Sequence, residues 1–290
     1  MYKWKNLFVV LLVGVIGCDG IHASNGRSIP LWENGAPGFE GLREVTEESG
    51  DWWVKSVNNP TVTVFTPENA PANGCAVLIL PGGGLRTLTY RDEGVRVANY
   101  MASIGVTAFV LKYRLPLANG SPYGFQHLQQ DAYRAIRLIR SLCGEYGIDP
   151  KRVGMMGFSA GTAGVQMVLF GGREDARVVN DRIDLECPRP DFVALVYPGG
   201  GVQFTVPKDC PPVFMICADD DTREGVEAML SLVSVLRRAN VSVEAHLVSM
   251  GGHGFGIGSD SEYQSIRQWP AEFRAWLTDH SFLRLAYEER

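Results

Sequence analysis

The run Gly157-Phe158-Ser159-Ala160-Gly161 limits what this chain can fold into more than any other stretch, because it seats a serine between two glycines where one structural pattern gives way to another. Val153, Met155 and Met156 before it read as a buried strand, and Ala160 to Phe170 after it read as a helix. A chain that turns from strand to helix within so few residues needs small side chains on both sides of the bend. The serine hydroxyl then stands exposed above the end of a sheet, the geometry of a nucleophile elbow. A glycine-rich turn with an incidental serine is the competing reading, and the rest of the chain decides between them.

Two further segments occur in the order that nucleophilic hydrolysis requires. Pro81-Gly82-Gly83-Gly84 follows the apolar run Ala76 to Leu80, and its glycines let backbone N–H groups approach a developing oxyanion. The loop resembles the HGGG-type loop of esterases, with Pro81 in the histidine's place. Downstream, the strand pattern Pro212 to Cys217 runs into Ala218-Asp219-Asp220-Asp221, and the strand pattern Val241 to Val248 runs into Gly251-Gly252-His253-Gly254-Phe255-Gly256. Serine, acid and histidine thus follow the chain order of α/β-hydrolases, which differs from that of chymotrypsin and subtilisin. The expected roles are Ser159 as nucleophile, His253 as the base that takes and returns its proton, and one aspartate to orient the imidazole. Asp221 is favoured among the three, with Asp219 and Asp220 free to cap the next helix. Ala160 and either Gly83 or Gly84 are the expected oxyanion-hole donors.

His253 is the histidine that lies between glycines after the last strand. His22, His127, His246 and His280 show no metal-ligand spacing such as HExxH and suit ordinary structural roles. No metal or organic cofactor is needed by the chemistry expected here. A nucleotide site is also excluded: Leu85 and Arg86 follow Gly84 where a P-loop needs Lys and Ser or Thr, and Ser159 stands where a dinucleotide fingerprint needs its middle glycine.

The N-terminus pairs Lys3 and Lys5 with the apolar run Leu7 to Ile16, too short to span a bilayer and typical of a secretory signal. Val15-Ile16-Gly17-Cys18 resembles a bacterial lipobox, which predicts export and a lipidated Cys18 as the mature N-terminus; a plain signal peptide cut later, or an uncleaved anchor, is the alternative. Loss of Lys3 and Lys5 would make the net charge of -5 still more negative. That argues against charge-driven binding to nucleic acid or anionic lipid. Small-molecule or oligosaccharide esters are the expected partners. Six cysteines do not form a disulfide framework: Cys75 and Cys217 fall in strand patterns, Cys143 ends a helix pattern, and only Cys187 and Cys210 lie where an oxidising compartment would permit a bond.

Continuous apolar strands alternate with helix patterns from Thr61 to Asp279, which predicts an α/β fold: a mostly parallel sheet covered by helices on both faces. The expected organisation is a signal peptide over 1–17, a tether and irregular arm over 18–60, a catalytic domain over 61–280 and a short tail over 281–290. Helices are expected over Asp92 to Ile104, Phe125 to Tyr146, Ala160 to Phe170, Glu224 to Asn240 and Ser265 to Asp279. Arg134, Arg137 and Arg140 follow Asp131 at three-residue steps, which reads as a solvated or salt-bridged face in preference to an anion site. Trp52 and Trp53 either staple the arm to the core, the favoured reading, or line a sugar cleft.

Taken as a set, Pro81 to Gly84, Leu111 to Leu115, Asp131-Ala132 with Arg134 to Arg137, Gly147 to Pro150, Gly157 to Gly161 and Gly251 to Gly256 resemble bacterial exported α/β-hydrolases of the acetyl xylan esterase, xylanase-B-like and feruloyl-esterase-like kind. The resemblance covers Pro30 to Asp279. It implies an α/β-hydrolase fold and hydrolysis of short acyl esters, acetyl groups on plant polysaccharide foremost. Thr162-Ala163, Cys217-Ala218 and Leu85-Arg86 depart from the pairs usual at those places, near the expected pocket. A peptidase on the same fold and an inactive carbohydrate-binding relative are the rival readings; the former would call for a propeller-sized N-terminal domain, which the sequence does not show, and the latter has no reason to keep Ser, Asp and His together.

Overall fold

Strands that are apolar at every position can be stable only when both faces of their sheet are covered, and that is how they are used here. The computed structural model describes residues 26–68, 70–171, 178–179, 181–199 and 205–284. The strands are β1 (Arg27–Pro30), β2 (Glu48–Ser49), β3 (Val54–Lys55), β4 (Thr61–Phe65), β5 (Ala76–Leu80), β6 (Thr107–Lys112), β7 (Val153–Phe158), β8 (Val193–Val196), β9 (Val213–Ala218) and β10 (Val243–Val248). The helices are α1 (Arg96–Ser103), α2 (Phe125–Ser141), α3 (Cys143–Tyr146), α4 (Thr162–Phe170), α5 (Arg223–Arg238) and α6 (Gln264–Asp279).

Eight strands form one sheet in the order β1-β4-β6-β5-β7-β8-β9-β10, and β2 pairs with β3 as a separate ribbon. From β6 to β10 all neighbours are parallel, while β4 runs antiparallel to both β1 and β6. Every residue of β5, β7, β8 and β9 is buried. Strand order reverses around β5, so the loops after β5 and β7 open side by side at the carboxyl edge of the sheet, where ligands bind in such folds. On one face, Trp269, Phe273 and Trp276 of α6 pack against Phe158, Phe192 and Phe214. Each such ring contributes about 1.5–3 kcal/mol by leaving water.

Three expectations change. The arm over 18–60 is not wholly irregular: Arg27–Pro30 adds the sheet's first strand, because its alternating backbone groups pair with the otherwise open edge of β4. The helix expected over Phe125 to Tyr146 breaks at Leu142, whose ψ of 0° ends one helix and starts another. The arginine stripe on α2 is salt-bridged but not solvated. Arg134, Arg137 and Arg140 are all buried. Arg134 meets Asp181 at 2.6 Å and Asp184 at 2.9 Å, Arg137 donates to the Glu186 carbonyl, and Arg140 donates to the carbonyls of Cys187, Pro150 and Arg189. The three guanidinium groups rivet the irregular segment before β8 onto the helix.

Cys75, Cys143, Cys187, Cys210 and Cys217 are free thiols, so the bond left open between Cys187 and Cys210 is absent. The expected signal peptide, the lipobox with Cys18, and the end of the tail lie outside the described residues. Among the described residues no helix is long and apolar enough to cross a membrane.

Candidate active site

At the end of β7, Phe158 is extended and Ser159 adopts φ +48°, a left-handed conformation that costs a non-glycine residue about 1–3 kcal/mol. The next residues wind at once into a short 3-10 turn, Ser159–Gly161, and then into α4. A Cβ on Gly161 would sit 2.2 Å from the Leu80 carbonyl oxygen, and one on Gly157 would sit 2.8 Å from the Thr162 Cα. Both glycines are therefore steric requirements of the bend, as its sequence suggests. The Thr162 hydroxyl donates to the Ser159 carbonyl at 2.6 Å and fixes the turn from within.

The bend aims Ser159 at the loop after β10. Ser159 Oγ lies 2.7 Å from His253 Nε2, and His253 Nδ1 lies 2.9 Å from each carboxylate oxygen of Asp221. The Asp221 side chain is fully buried and the His253 side chain is 42% exposed, so the row runs from a dry carboxylate to a hydroxyl that solvent or substrate can reach. Asp221 is further held by the Thr222 N–H at 2.5 Å and by the Cys217 thiol at 3.5 Å.

The neighbouring aspartates do different work. Asp220 Oδ1 accepts from the Gly252 N–H at 2.7 Å and ties down the loop that carries His253. The cap of α5 comes from neither: the Thr222 side chain accepts from the Gly225 N–H. Threonine directly before a helix pattern was a legible capping signal, overshadowed by the run of three acids.

Beside Ser159, the loop after β5 brings Gly83 and Gly84 into φ +116° and +65°. Gly82 passes so close that a Cβ there would meet Ser159 Cβ at 2.7 Å. The Gly82 N–H is taken by Glu93 at 2.7 Å and so is not open to an incoming oxygen. Pro81 contributes its carbonyl to the Tyr113 hydroxyl at 2.6 Å.

A cleft of about 370 Å³ opens beside the His253 loop, between Thr89, Arg91 and Arg96 on one wall and Phe255, Ser259 and Asp260 on the other. Arg91 is paired with Asp92 and Arg96 with Asp260, so the walls offer hydrogen bonds without a large net charge. The Trp52 carbonyl accepts from the Arg91 N–H, and Trp52 is 42% exposed, contrary to the packing role favoured for it. Trp53 is half-buried, with the Lys55 ammonium over its ring. The other described histidines do local work: His127 Nδ1 accepts from the Gly124 N–H at the start of α2, and His246 meets Glu244. Among the described residues no group of three or more His, Cys, Asp and Glu is placed to hold a metal ion.

Two features escaped the sequence. Glu93, within an expected helix, is buried between the glycine loop and the site, and Tyr197, at the end of a strand pattern, has φ +37° and holds its ring 4.9 Å from the His253 imidazole.

No protein-family model matches the chain. It is 27% identical over 243 residues to an acetylxylan esterase of Xylanibacter ruminicola, covering 71% of this chain and 46% of that protein. It is 28% identical over 213 residues to endo-1,4-beta-xylanase B of Butyrivibrio fibrisolvens, covering 63% of this chain and 33% of that protein. The chain thus spans less than half the length of either relative. Among solved structures, an acetyl ester-xyloside bifunctional hydrolase from Caldicellulosiruptor lactoaceticus superposes with a TM-score of 0.69 at 26% identity, over 90% of this chain and 98% of that one. The fold is that of the α/β-hydrolases. The chain is related to acetyl-xylan-esterase and xylanase-B-like enzymes at low identity.

Proposed function

We propose that the chain is a serine carboxylesterase that removes short acyl groups, acetyl foremost, from plant polysaccharide such as xylan. The observation that carries this reading is the unbroken row Ser159 Oγ, His253 Nε2, His253 Nδ1, Asp221 carboxylate. In that row His253 removes the Ser159 proton as Oγ bonds to the ester carbonyl carbon, and the carbonyl π electrons move to oxygen. Ala160 and Gly83 or Gly84 donate N–H groups to that oxyanion, while Asp221 keeps Nδ1 protonated and stabilises the imidazolium. Collapse of the intermediate breaks the ester C–O bond, and His253 returns its proton to the departing alcohol. Water, deprotonated by His253, then repeats the sequence on the acyl-serine and releases the acid.

The polysaccharide part of the reading is supported by the relatives' names and by the polar cleft beside His253, where a hydroxyl-rich leaving group finds hydrogen-bonding partners and the Phe255 side of the wall. Export, with a lipid anchor on Cys18, belongs to the same proposal and is supported by the N-terminal residues alone.

The test compares acetate release from acetylated xylan with ferulate release and with nitrophenyl esters of increasing acyl length. Preference for acetyl over longer chains, together with covalent labelling of Ser159 by a fluorophosphonate, is the expected result. Absence of both labelling and ester turnover would remove the esterase reading. Labelling with turnover of peptides in place of esters would favour a peptidase.

A further inference from the structure

Glu93 is a buried carboxyl group that the proposed hydrolysis leaves unused, with only 3% of its surface exposed. The sequence suggests a regular α-helix from Asp92 onward. Instead Arg91–Val95 forms a single wide π turn, in which the Val95 N–H reaches back to the Tyr90 carbonyl. Such turns insert one residue into the helical count and re-aim the side chains around it. Here Glu93 and Gly94 face inward and are buried.

The carboxyl group meets two different loops. Glu93 Oε2 accepts from the Gly82 N–H at 2.7 Å, and Oε1 accepts from the Tyr197 hydroxyl at 2.7 Å. The Tyr197 oxygen in turn accepts from the Gly256 N–H at 3.0 Å. Gly82 precedes the residues proposed to hold the oxyanion, and Gly256 lies three residues beyond His253. Tyr197 is kept a phenol, because burial beside Glu93 pushes its ionisation well above the ordinary range, so its proton is available to donate. Burial also raises the Glu93 carboxyl, while the Tyr197 hydroxyl, the Gly82 N–H and nearby His253 act in the opposite direction. Two donors aimed at separate oxygens are both satisfied by a carboxylate but not by an amide, which has one acceptor atom.

We propose that Glu93 is a positioning residue: through its two oxygens and the Tyr197 hydroxyl it locks the loop of Gly83 and Gly84 to the loop of His253, and so sets the spacing between oxyanion donors and base. Its catalytic consequence rests on the esterase reading; the lock itself does not. A misplacement of about 1 Å at such a site costs on the order of 100-fold in rate. Glu93 touches no substrate in this scheme.

The experiment compares the full-length protein with Glu93→Gln, Tyr197→Phe and the double variant. Glu93→Gln keeps the shape but has one acceptor for the two donors, so the bond to Gly82 or to Tyr197 is lost and the chain of hydrogen bonds is cut; Tyr197→Phe cuts the same chain from the other side. Both single variants are expected to lower kcat on nitrophenyl acetate by about 10–100-fold with KM within about twofold. The double variant should be no slower than the slower single one, since both cut one chain of hydrogen bonds. Amide exchange at Gly256, read by mass spectrometry or NMR, should quicken about tenfold or more in each. If one variant does not fold, the other carries both readouts. A role in packing alone would lower the melting midpoint and leave kcat of the folded protein within twofold of wild type, and that result overturns the proposal. So does unchanged Gly256 exchange. If wild type turns over no ester, the esterase reading falls by itself, and Gly256 exchange still decides whether the lock exists.

Discussion

Ser159 owes its position to a backbone conformation it would not choose alone, and the two glycines beside it leave the turn no roomier alternative. If Ser159 forms the acyl-enzyme, Ser159→Ala is expected to lower kcat by about four to six orders of magnitude with the melting curve unchanged or raised, because alanine removes the hydroxyl and nothing that packs. Retention of more than a tenth of wild-type turnover on nitrophenyl acetate would sink the assignment. The acids separate by what each one holds. Asp221→Asn presents an amide to His253 Nδ1 and favours the wrong tautomer, with an expected loss of about 10⁴ in kcat. Asp220→Asn keeps an oxygen for the Gly252 N–H and should cost far less; a crippling Asp220→Asn with a mild Asp221→Asn would reverse the roles. Ser159 and His253 were legible because each lies among glycines in a turn after a strand, whereas the acid was legible only as the run Asp219 to Asp221, with Asp221 favoured in it. Glu93 was not. A glutamate beside Asp92 at the head of an amphipathic helix reads as a solvated first turn, and nothing local announces the extra residue in the winding that turns it inward.

At the scale of elements, α2 is the plainest case of a pattern whose meaning depends on residues far along the chain. Arginines three apart read as a charged stripe, yet their partners Asp181, Asp184 and the carbonyls of 186–189 come some fifty positions later, in a segment with no periodicity to announce it. Asp184 accepts from Arg134 and from the N–H groups of Val178 and Val179, and is itself buried. Asp184→Ala would leave Arg134 with Asp181 alone of its two carboxylates and the Val178 and Val179 N–H groups without their acceptor, and is expected to cost about 1–3 kcal/mol in urea unfolding, without changing KM for a small ester. Asp181 gives the pH arm of the same test. Its hydrogen bonds from Arg134 depress its carboxyl to about 2. A depressed acid adds stability above its unfolded value near 3.8, and that contribution is lost as pH falls from there towards 2. The gap in stability between wild type and Asp181→Asn should therefore be full at pH 5 and above and close between about pH 4 and 2. A gap that stays constant over that range would mean that Asp181 adds nothing through its charge. The alternation of strands and helices was legible from β5 to β9, since full burial of parallel strands leaves continuous apolar runs. The first strand was not: four residues on an antiparallel edge need only β4 beside them, and Arg27 to Pro30 carry no apolar pattern of their own.

For the molecule as a whole, the direction of β1 bears on where an anchored chain would enter the sheet. β1 runs antiparallel to β4 and β4 antiparallel to β6, so β1 points the same way as the parallel strands, towards the edge that carries Ser159, Asp221 and His253. Arg27 pairs with Val64 and Val64 with Phe109, whereas Pro30 aligns through Thr61 with Lys112 at the far end of β6. The chain therefore enters the sheet from the edge opposite the site. The proposed lipid on Cys18 would then join a chain whose first described strand starts at that edge. Mass spectrometry of the native N-terminus is expected to find an acylated Cys18 as the first residue. Cys18→Ser should leave the protein unprocessed or shed it from membranes, while the purified catalytic domain keeps its specific activity on a small ester, because the anchor enters no step of the chemistry. An unmodified terminus at any other residue would end the lipoprotein reading and leave the esterase reading where it stood.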